Sequence, residues 1–138
     1  MSITVEPTAS ATTPSDVQVR VFHNNSAPAS FCGFEVNDSV TEVYSYTVLV
    51  TSAVSDEELA EELAEEAFRL FNVGHDPAFG EPDQRAVQYR AAGNRSLSIG
   101  DVVSVAERFH ALTREGWFEL AEVPVIAQRR SHGTTPAY

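Results

Sequence analysis

Apolar and polar side chains alternate along residues 17–22 (VQVRVF), where valine occupies every second position. This period of two is typical of a β-strand that buries one face. Residues 43–51 (VYSYTVLVT) are rich in Val, Tyr and Thr, which favour a central strand. A shorter strand is expected at residues 31–36, so this part of the chain predicts a small antiparallel sheet.

Helical spacing replaces the alternation after Ser55. The sequence from Ser55 to Glu58 is a capping box, in which the Ser55 hydroxyl accepts a bond from the N–H three residues on and the Glu58 side chain reaches back. Apolar residues then recur every three or four positions as far as about Asn72, namely Leu59, Leu63, Ala67, Leu70 and Phe71. Gly74 and Pro77 mark the end of this amphipathic helix.

Short apolar runs separated by turn residues fill the second half of the chain. Gly116 lies between the last two runs, where a tight turn needs the positive φ that glycine adopts at little cost. Strands are expected here at residues 87–91, 102–106, 109–113 and 117–120, and residues 95–99 lead through Gly100-Asp101 into the second of them. Such a series is typical of a meander.

The whole pattern predicts an α+β fold, with a small, mostly antiparallel sheet of five to seven short strands and one amphipathic helix packed on one face. A chain of 138 residues is long enough for one independent core. We assign residues 16–126 to this single domain. The flanking segments lack periodic apolar positions, which predicts a disordered leader at residues 1–15 and a flexible C-terminal tail at 127–138.

Negative charge is confined to the first half of the chain. Residues 1–66 carry twelve carboxylates and one Arg, whereas residues 67–138 carry eight carboxylates and eight Arg, so the first half accounts for the whole net charge of −11. A field of this sign repels nucleic-acid phosphates and anionic lipids and attracts cationic molecules. We therefore expect a basic protein partner, and neither direct nucleic-acid binding nor membrane binding.

The sequence also bears on location. The first 15 residues lack the basic start and the apolar run of a signal peptide, and no apolar run approaches the roughly 20 residues of a membrane span. Cys32 is the only cysteine, which excludes an internal disulfide and fits a reducing compartment. A cytoplasmic location in a bacterial host is expected, with virion association as an alternative.

Glutamates form two rows along the exposed side of the predicted helix. Side chains four residues apart stack on one helix face, so one row is Glu57, Glu61 and Glu65 and the other is Glu58, Glu62 and Glu66. One interpretation is the solvated face of an acidic protein. The other is a partner-binding surface that imitates a phosphate backbone and enters the basic groove of a nucleic-acid-binding protein.

The most specific pattern lies between residues 71 and 120. It consists of Phe71-Asn72, His75, Pro77, Arg95-Ser96-Leu97-Ser98, Gly100-Asp101-Val102-Val103, Phe109 and Gly116-Trp117. These motifs resemble the YodL-like domain family, small accessory domains carried by phages, plasmids and conjugative elements. The resemblance implies mobile-element biology and a role in countering host defences, without a settled biochemical activity.

The same block has two interpretations at the level of side chains. Gly100-Asp101 fits a turn before a Val-rich buried strand, and Trp117 fits a core position. The functional alternative is a polar groove beside the indole N–H of Trp117, which needs a partner if it is buried. That groove would be lined by Asn94, Arg95, Ser96, Ser98, Asp101 and Trp117.

Catalytic signatures are sparse. The four His and Cys32 have no metal-ligand spacing, and no cofactor motif occurs, so no metal, cofactor or catalytic residue is predicted. Cys32 lies between Phe31 and Gly33, a context typical of a buried small hydrophobic residue. Loop carboxylates still leave open a small hydrolase with a carboxylate and Arg site; they are Asp76, Glu81, Asp83 and Asp101.

These observations favour a non-enzymatic accessory protein of phage or plasmid type. It would bind a basic protein partner, such as a host nucleic-acid-binding or defence protein, through the acidic helix face. A structural or assembly component, for example a virion accessory protein, is the first alternative, and the small hydrolase is the second. The sequence leaves the oligomeric state open.

Overall fold

Six strands form one sheet in the computed structural model, which describes residues 14–26, 28–51 and 54–127. They are β1 Ser15–Asn24, β2 Ser39–Val50, β3 Val102–Val105, β4 Arg108–Thr113, β5 Gly116–Glu119 and β6 Val125–Ile126. Their order across the sheet is β5-β4-β3-β1-β2-β6, and all neighbouring pairs are antiparallel except β2 and β6. The prediction of an α+β fold with a mostly antiparallel sheet of five to seven strands is confirmed.

The helices are α1 Ala29–Cys32, a single turn, then α2 Asp56–Val73 and α3 Gln84–Ala91, with a short 3-10 turn at Pro77–Phe79. The start of α2 follows the predicted cap, because Ser55 Oγ accepts a hydrogen bond from the Glu58 N–H at 3.1 Å. The helix ends at Gly74, whose N–H donates to the carbonyl of Leu70. Both boundaries lie within about a residue of those that the sequence predicts.

Successive side chains of the central strands belong to two different apolar clusters. The main cluster contains Val19 and Val21 of β1, Ala67 and Leu70 of α2, and Tyr89 of α3, all essentially excluded from solvent. A second cluster contains the intervening side chains of the same strands, with Phe34 and Leu120 packed against it: Phe22, Val40, Val102, Phe109 and Ala111. Successive residues of a strand point to opposite faces, so the sheet buries side chains on both.

The prediction of a single helix is wrong, because residues 87–91 belong to α3 and not to a strand. Asp83 caps this helix by accepting a hydrogen bond from the Arg85 N–H at 2.8 Å. Ala86 and Tyr89, three residues apart, are fully buried, whereas Val87 is exposed. The apolar spacing is therefore that of a short helix, and Asp83 is the capping signal that identifies it.

The strand expected at residues 31–36 is wrong as well, and residues 95–99 also lie outside the sheet. Residues 31–36 include the end of α1, and the chain then leaves the helix through Gly33, whose φ is +82°. Residues 95–99 form no ladder, because side chains from elsewhere in the fold satisfy their backbone groups. The alternating pattern of residues 95–99 thus belongs to a loop that side chains of α2 and α3 hold in place.

The predicted leader and tail fall mainly on residues 1–13 and 128–138, which lie outside the described residues. Ser15, assigned to the leader, is instead the first residue of β1. Within the described ranges, no helix combines the length and the apolarity needed to cross a membrane.

Candidate functional site

Six glutamates of α2 form what we term the acidic ridge: Glu57, Glu58, Glu61, Glu62, Glu65 and Glu66. The first five are exposed, and Glu66 is partly buried. Their opposite helix face carries the apolar stripe that enters the main core. The helical period thus turns the carboxylates outward, as the sequence pattern indicates.

Along the described residues, no Arg or His forms an ion pair with the acidic ridge. Arg108 is held by Glu119, which raises its pKa, and the more distant Glu57 adds to that effect. Arg85 is likewise held by Asp83, with a smaller influence from Glu66 at the other end of the ridge. Between these ends, one shallow depression is lined by Val54 and by Glu58, Glu61, Glu62 and Glu65.

A buried carboxylate organises the predicted polar groove. Asp101 is 1 % exposed, and the guanidinium of Arg95 donates to both of its oxygens at 2.7 and 2.9 Å. The N–H groups of Ser98 and Asn24 also donate to this carboxylate, each at 2.8 Å. A carboxylate has about four acceptor positions. All of them are used, so Asp101 holds the loop to β1 and has no oxygen left to act as a base.

The loop before Asp101 is fixed by α2 and α3. Asn72 bonds both backbone groups of Leu97, accepting from its N–H at 2.7 Å and donating to its carbonyl at 3.2 Å. Arg90 donates to the Phe71 and Asn72 carbonyls and to the hydroxyl of Ser96. The Phe71-Asn72 and Arg95–Ser98 motifs therefore form one hydrogen-bonded unit.

The structure brings together only part of the predicted groove. Arg95, Ser98 and Asp101 line one depression, together with Asn24, Asn25 and Ser26. Ser96 points to Arg90, and Asn94 reaches the carbonyl of Val43 on β2. Trp117 packs against the main core, and its buried indole N–H has no hydrogen-bond partner among the described residues. Trp117 thus does not line this depression.

His23 joins the same network through a tyrosine. The Tyr89 hydroxyl donates to the Arg95 carbonyl at 2.7 Å and lies 2.6 Å from His23 Nε2. Because the hydroxyl has a single hydrogen, His23 Nε2 is the donor in the second bond. Burial lowers the pKa of His23, and the nearby positive charge of Arg95 lowers it further. His23 is accordingly held neutral in the fold.

We expect His23 to make the unfolding free energy depend on pH. A folded-state pKa below the unfolded value of 6.5 stabilises the protein above that pH, and this contribution is lost as the pH falls. Urea unfolding from about pH 7.5 to 5.5 should show a larger loss for wild type than for His23→Gln, which keeps an N–H donor but does not titrate. Equal losses in the two proteins would contradict the neutral assignment.

An apolar groove, which the sequence interpretation missed, lies on the face of the second cluster. It has a volume of about 480 Å³ and is lined mainly by Phe34, Val36, Ile99, Ala111, Phe118 and Leu120, beside Cys32. Cys32 is exposed, so the expectation of a buried cysteine is wrong. The two runs of the predicted last hairpin, now β4 and β5, could have indicated this groove. Ala111 and Phe118 are directly opposed in that hairpin, so they share an apolar face.

The polar groove and the acidic ridge differ in whether their charged groups are already paired. The groove residues around Asp101 satisfy one another, whereas the acidic ridge presents open carboxylates. Among the described side chains, no three His, Cys, Asp or Glu residues are grouped so that they could hold a metal ion.

No family model, curated protein or solved structure matches this chain.

Proposed function

We propose that this chain is a non-enzymatic accessory protein that binds a basic protein partner through the acidic ridge. The observation that carries the proposal is a run of exposed glutamates without an ion-pairing cation among the described residues. In this view α2 packs on one face of the sheet through its apolar stripe, and the opposite side of the helix is the binding surface. The partner's own cations would supply the missing counter-charges.

The ridge weakens the fold that carries it. Glutamates at i and i+4 repel by about 0.2–0.5 kcal/mol per pair, and the four such pairs sum to about 1–2 kcal/mol. Negative residues in the first helical turn offset part of this cost, since they interact favourably with the helix dipole. The cations of a binding partner would relieve this repulsion among the carboxylates.

Charge density supports nucleic-acid mimicry as the mode of binding. Glu66 follows Glu57 by nine positions, a helical rise of about 14 Å. Six carboxylates over this length give about one charge per 2 Å, close to the value of about one per 1.7 Å for duplex DNA. A protein groove built for a phosphate backbone would accept such a surface, and association would weaken steeply with salt.

The biological setting rests on the resemblance of residues 71–120 to the YodL-like family. It supports an origin in a phage or plasmid, a site of action in the bacterial cytoplasm, and a partner among host nucleic-acid-binding or defence proteins. The partner would be occupied by the acidic ridge in place of DNA or RNA.

A capture experiment tests the acidic ridge. Bacterial proteins that bind and elute from a duplex-DNA column serve as prey, and the full chain is the bait. Changing Glu58, Glu61, Glu62 and Glu65 to Gln should lower recovery at low salt at least about tenfold, because most of the local field is removed. High salt and added duplex DNA should each release the prey from wild type.

The matched control removes the same charge elsewhere. Glu35, Glu81, Glu115 and Glu122 are exposed and lie outside α2, so their change to Gln keeps the net charge equal to that of the ridge variant. This control should capture prey like wild type. Equal recovery by the two quadruple variants would overturn the proposal, and circular dichroism verifies that both are folded.

A second candidate function is a structural or assembly component, such as a virion accessory protein. The apolar groove favours it, because Phe118 and Val36 at its rim are 64 % and 79 % exposed. Contact through this groove would be insensitive to salt, whereas capture by the acidic ridge is not.

A further inference from the structure

Strand β2 has a long open edge. Its other side pairs with β1 along its whole length, from Val40 to Val50. On the open side β6 covers only Ser39 and Val40, and no other described strand pairs with β2 there. Unpaired strand edges present free backbone donors and acceptors to a further strand.

The hydrogen-bond pattern identifies the free groups. The Gln18 carbonyl accepts a bond from the Ala106 N–H. The backbone N–H and C=O of Gln18 are therefore directed toward β3 and away from β2. Thr47 is directly opposite Gln18. In an antiparallel ladder, opposed residues either exchange both bonds or both point away. The backbone N–H and C=O of Thr47 are therefore directed away from β1, toward the open edge. Backbone direction alternates along a strand, so the same groups of Ser45 and Leu49 are also directed toward the open edge.

Nothing in this stretch blocks pairing with another strand. Residues 43–51 contain neither a charged residue nor a proline. The one irregularity is the bulge near Val43, whose carbonyl is already covered by Asn94. The opposite edge of the sheet differs, because β5 has only four residues and its Glu119 is ion-paired with Arg108. Short, charged edges resist pairing.

We propose that β2 pairs with β2 of a second copy of this chain, antiparallel about a two-fold axis at Thr47. This register places Thr47 opposite Thr47 of the other copy and Ser45 opposite Leu49. The backbone groups of all these residues are directed toward the open edge. The Thr47 pair and the two Ser45–Leu49 pairs would therefore exchange about six backbone hydrogen bonds. The two sheets would become one continuous sheet across the axis.

Charge makes a second copy a suitable occupant. Each chain carries −11, so two copies repel at most approaches, but at this edge they meet along segments without charge. The acidic helix α2 contacts β3 and β5, and its C-terminal part reaches β2, where Phe71 packs against Tyr44 and Tyr46. The acidic ridge lies on the opposite side of α2, turned away from this core. Pairing would also cover Leu49, which is 62 % exposed in the single chain. The acidic ridge would stay accessible in both copies.

Sedimentation velocity of the full chain over a concentration series tests this dimer. Wild type should approach twice the chain mass of 15.1 kDa as concentration rises. Thr47→Pro removes an outward N–H that bonds to none of the described residues, so the monomer should fold while the dimer dissociation constant rises at least about tenfold. A wild type that stays monomeric at every concentration would overturn the proposal, as would an unchanged constant for Thr47→Pro.

A pair of lysine variants separates edge pairing from general charge effects. Thr47→Lys puts two ammonium groups opposite each other at the axis and should weaken the dimer. Gln18→Lys adds the same charge on the same face one strand inward, and should not weaken it. Equal weakening by both would overturn the register. Salt should strengthen this dimer by screening the two chains, the opposite of its effect on the acidic ridge, so the two proposals fail separately.

Discussion

Asp101→Ala is expected to lower the free energy of unfolding by about 3 kcal/mol. The substitution removes four hydrogen bonds at once, because the carboxylate joins Arg95, Ser98 and Asn24 in a site that is 1 % exposed. The N–H groups of Ser98 and Asn24 would lose their acceptor. The Arg95 side chain is 48 % exposed and can regain water, which keeps the loss at the lower end for a buried ion pair.

The measurement is equilibrium unfolding in urea, followed by circular dichroism. Glu119→Ala is the matched control, since it also removes an Arg-paired carboxylate, but one that is 44 % exposed. Exposed pairs contribute about 0–1 kcal/mol, so this variant should remain close to wild type. If Asp101→Ala also stayed within about 1 kcal/mol of wild type, the loop would not depend on the carboxylate.

Phe71→Ala should cost about 3–5 kcal/mol, because it leaves a large cavity in the main core. The ring is fully buried, and its centroid lies 4.5 Å from that of Tyr89, 5.4 Å from Tyr44 and 5.6 Å from Tyr46. Such aromatic contacts add to the effect of area burial. The loss would loosen α2 against both α3 and β2, so thermal unfolding should also shift to lower temperature.

Phe79→Ala is the control for the size of the side chain removed. Phe79 lies on the 3-10 turn and is 64 % exposed, so its removal should change stability by less than about 0.5 kcal/mol. Comparable losses for Phe71→Ala and Phe79→Ala would contradict the assignment of Phe71 to the core.

Elements with strong local signals were predicted from the sequence. The alternation in residues 17–21 reports the buried valine face of β1, although Phe22 is buried on the opposite face as well. The Ser55 cap with its apolar stripe defines α2. The rows of glutamates follow from helical geometry alone. These features depend on residues within a few positions of one another, which is why periodicity detects them.

Features that depend on distant partners were not predicted. Residues 95–99 have a strand-like pattern, but Asn72 and Tyr89 provide the hydrogen bonds that a neighbouring strand would otherwise supply. The burial of Asp101 requires Asn24, which is 77 positions away in the chain. Strand β6 has only two residues and carries no pattern of its own. In each case tertiary contacts decide what local propensity leaves open.

The central position of β1 has a consequence for synthesis on the ribosome. Its neighbour β2 follows shortly in the sequence, but its other neighbour, β3, pairs Val19 with Val105 and is translated much later. Until then the nascent chain holds a valine-rich strand with one side unpaired, a state prone to association. The carboxylates gathered in residues 1–66 are already present at that stage and repel neighbouring nascent chains. This repulsion would thus limit association of the N-terminal half until β3 is translated and pairs with β1.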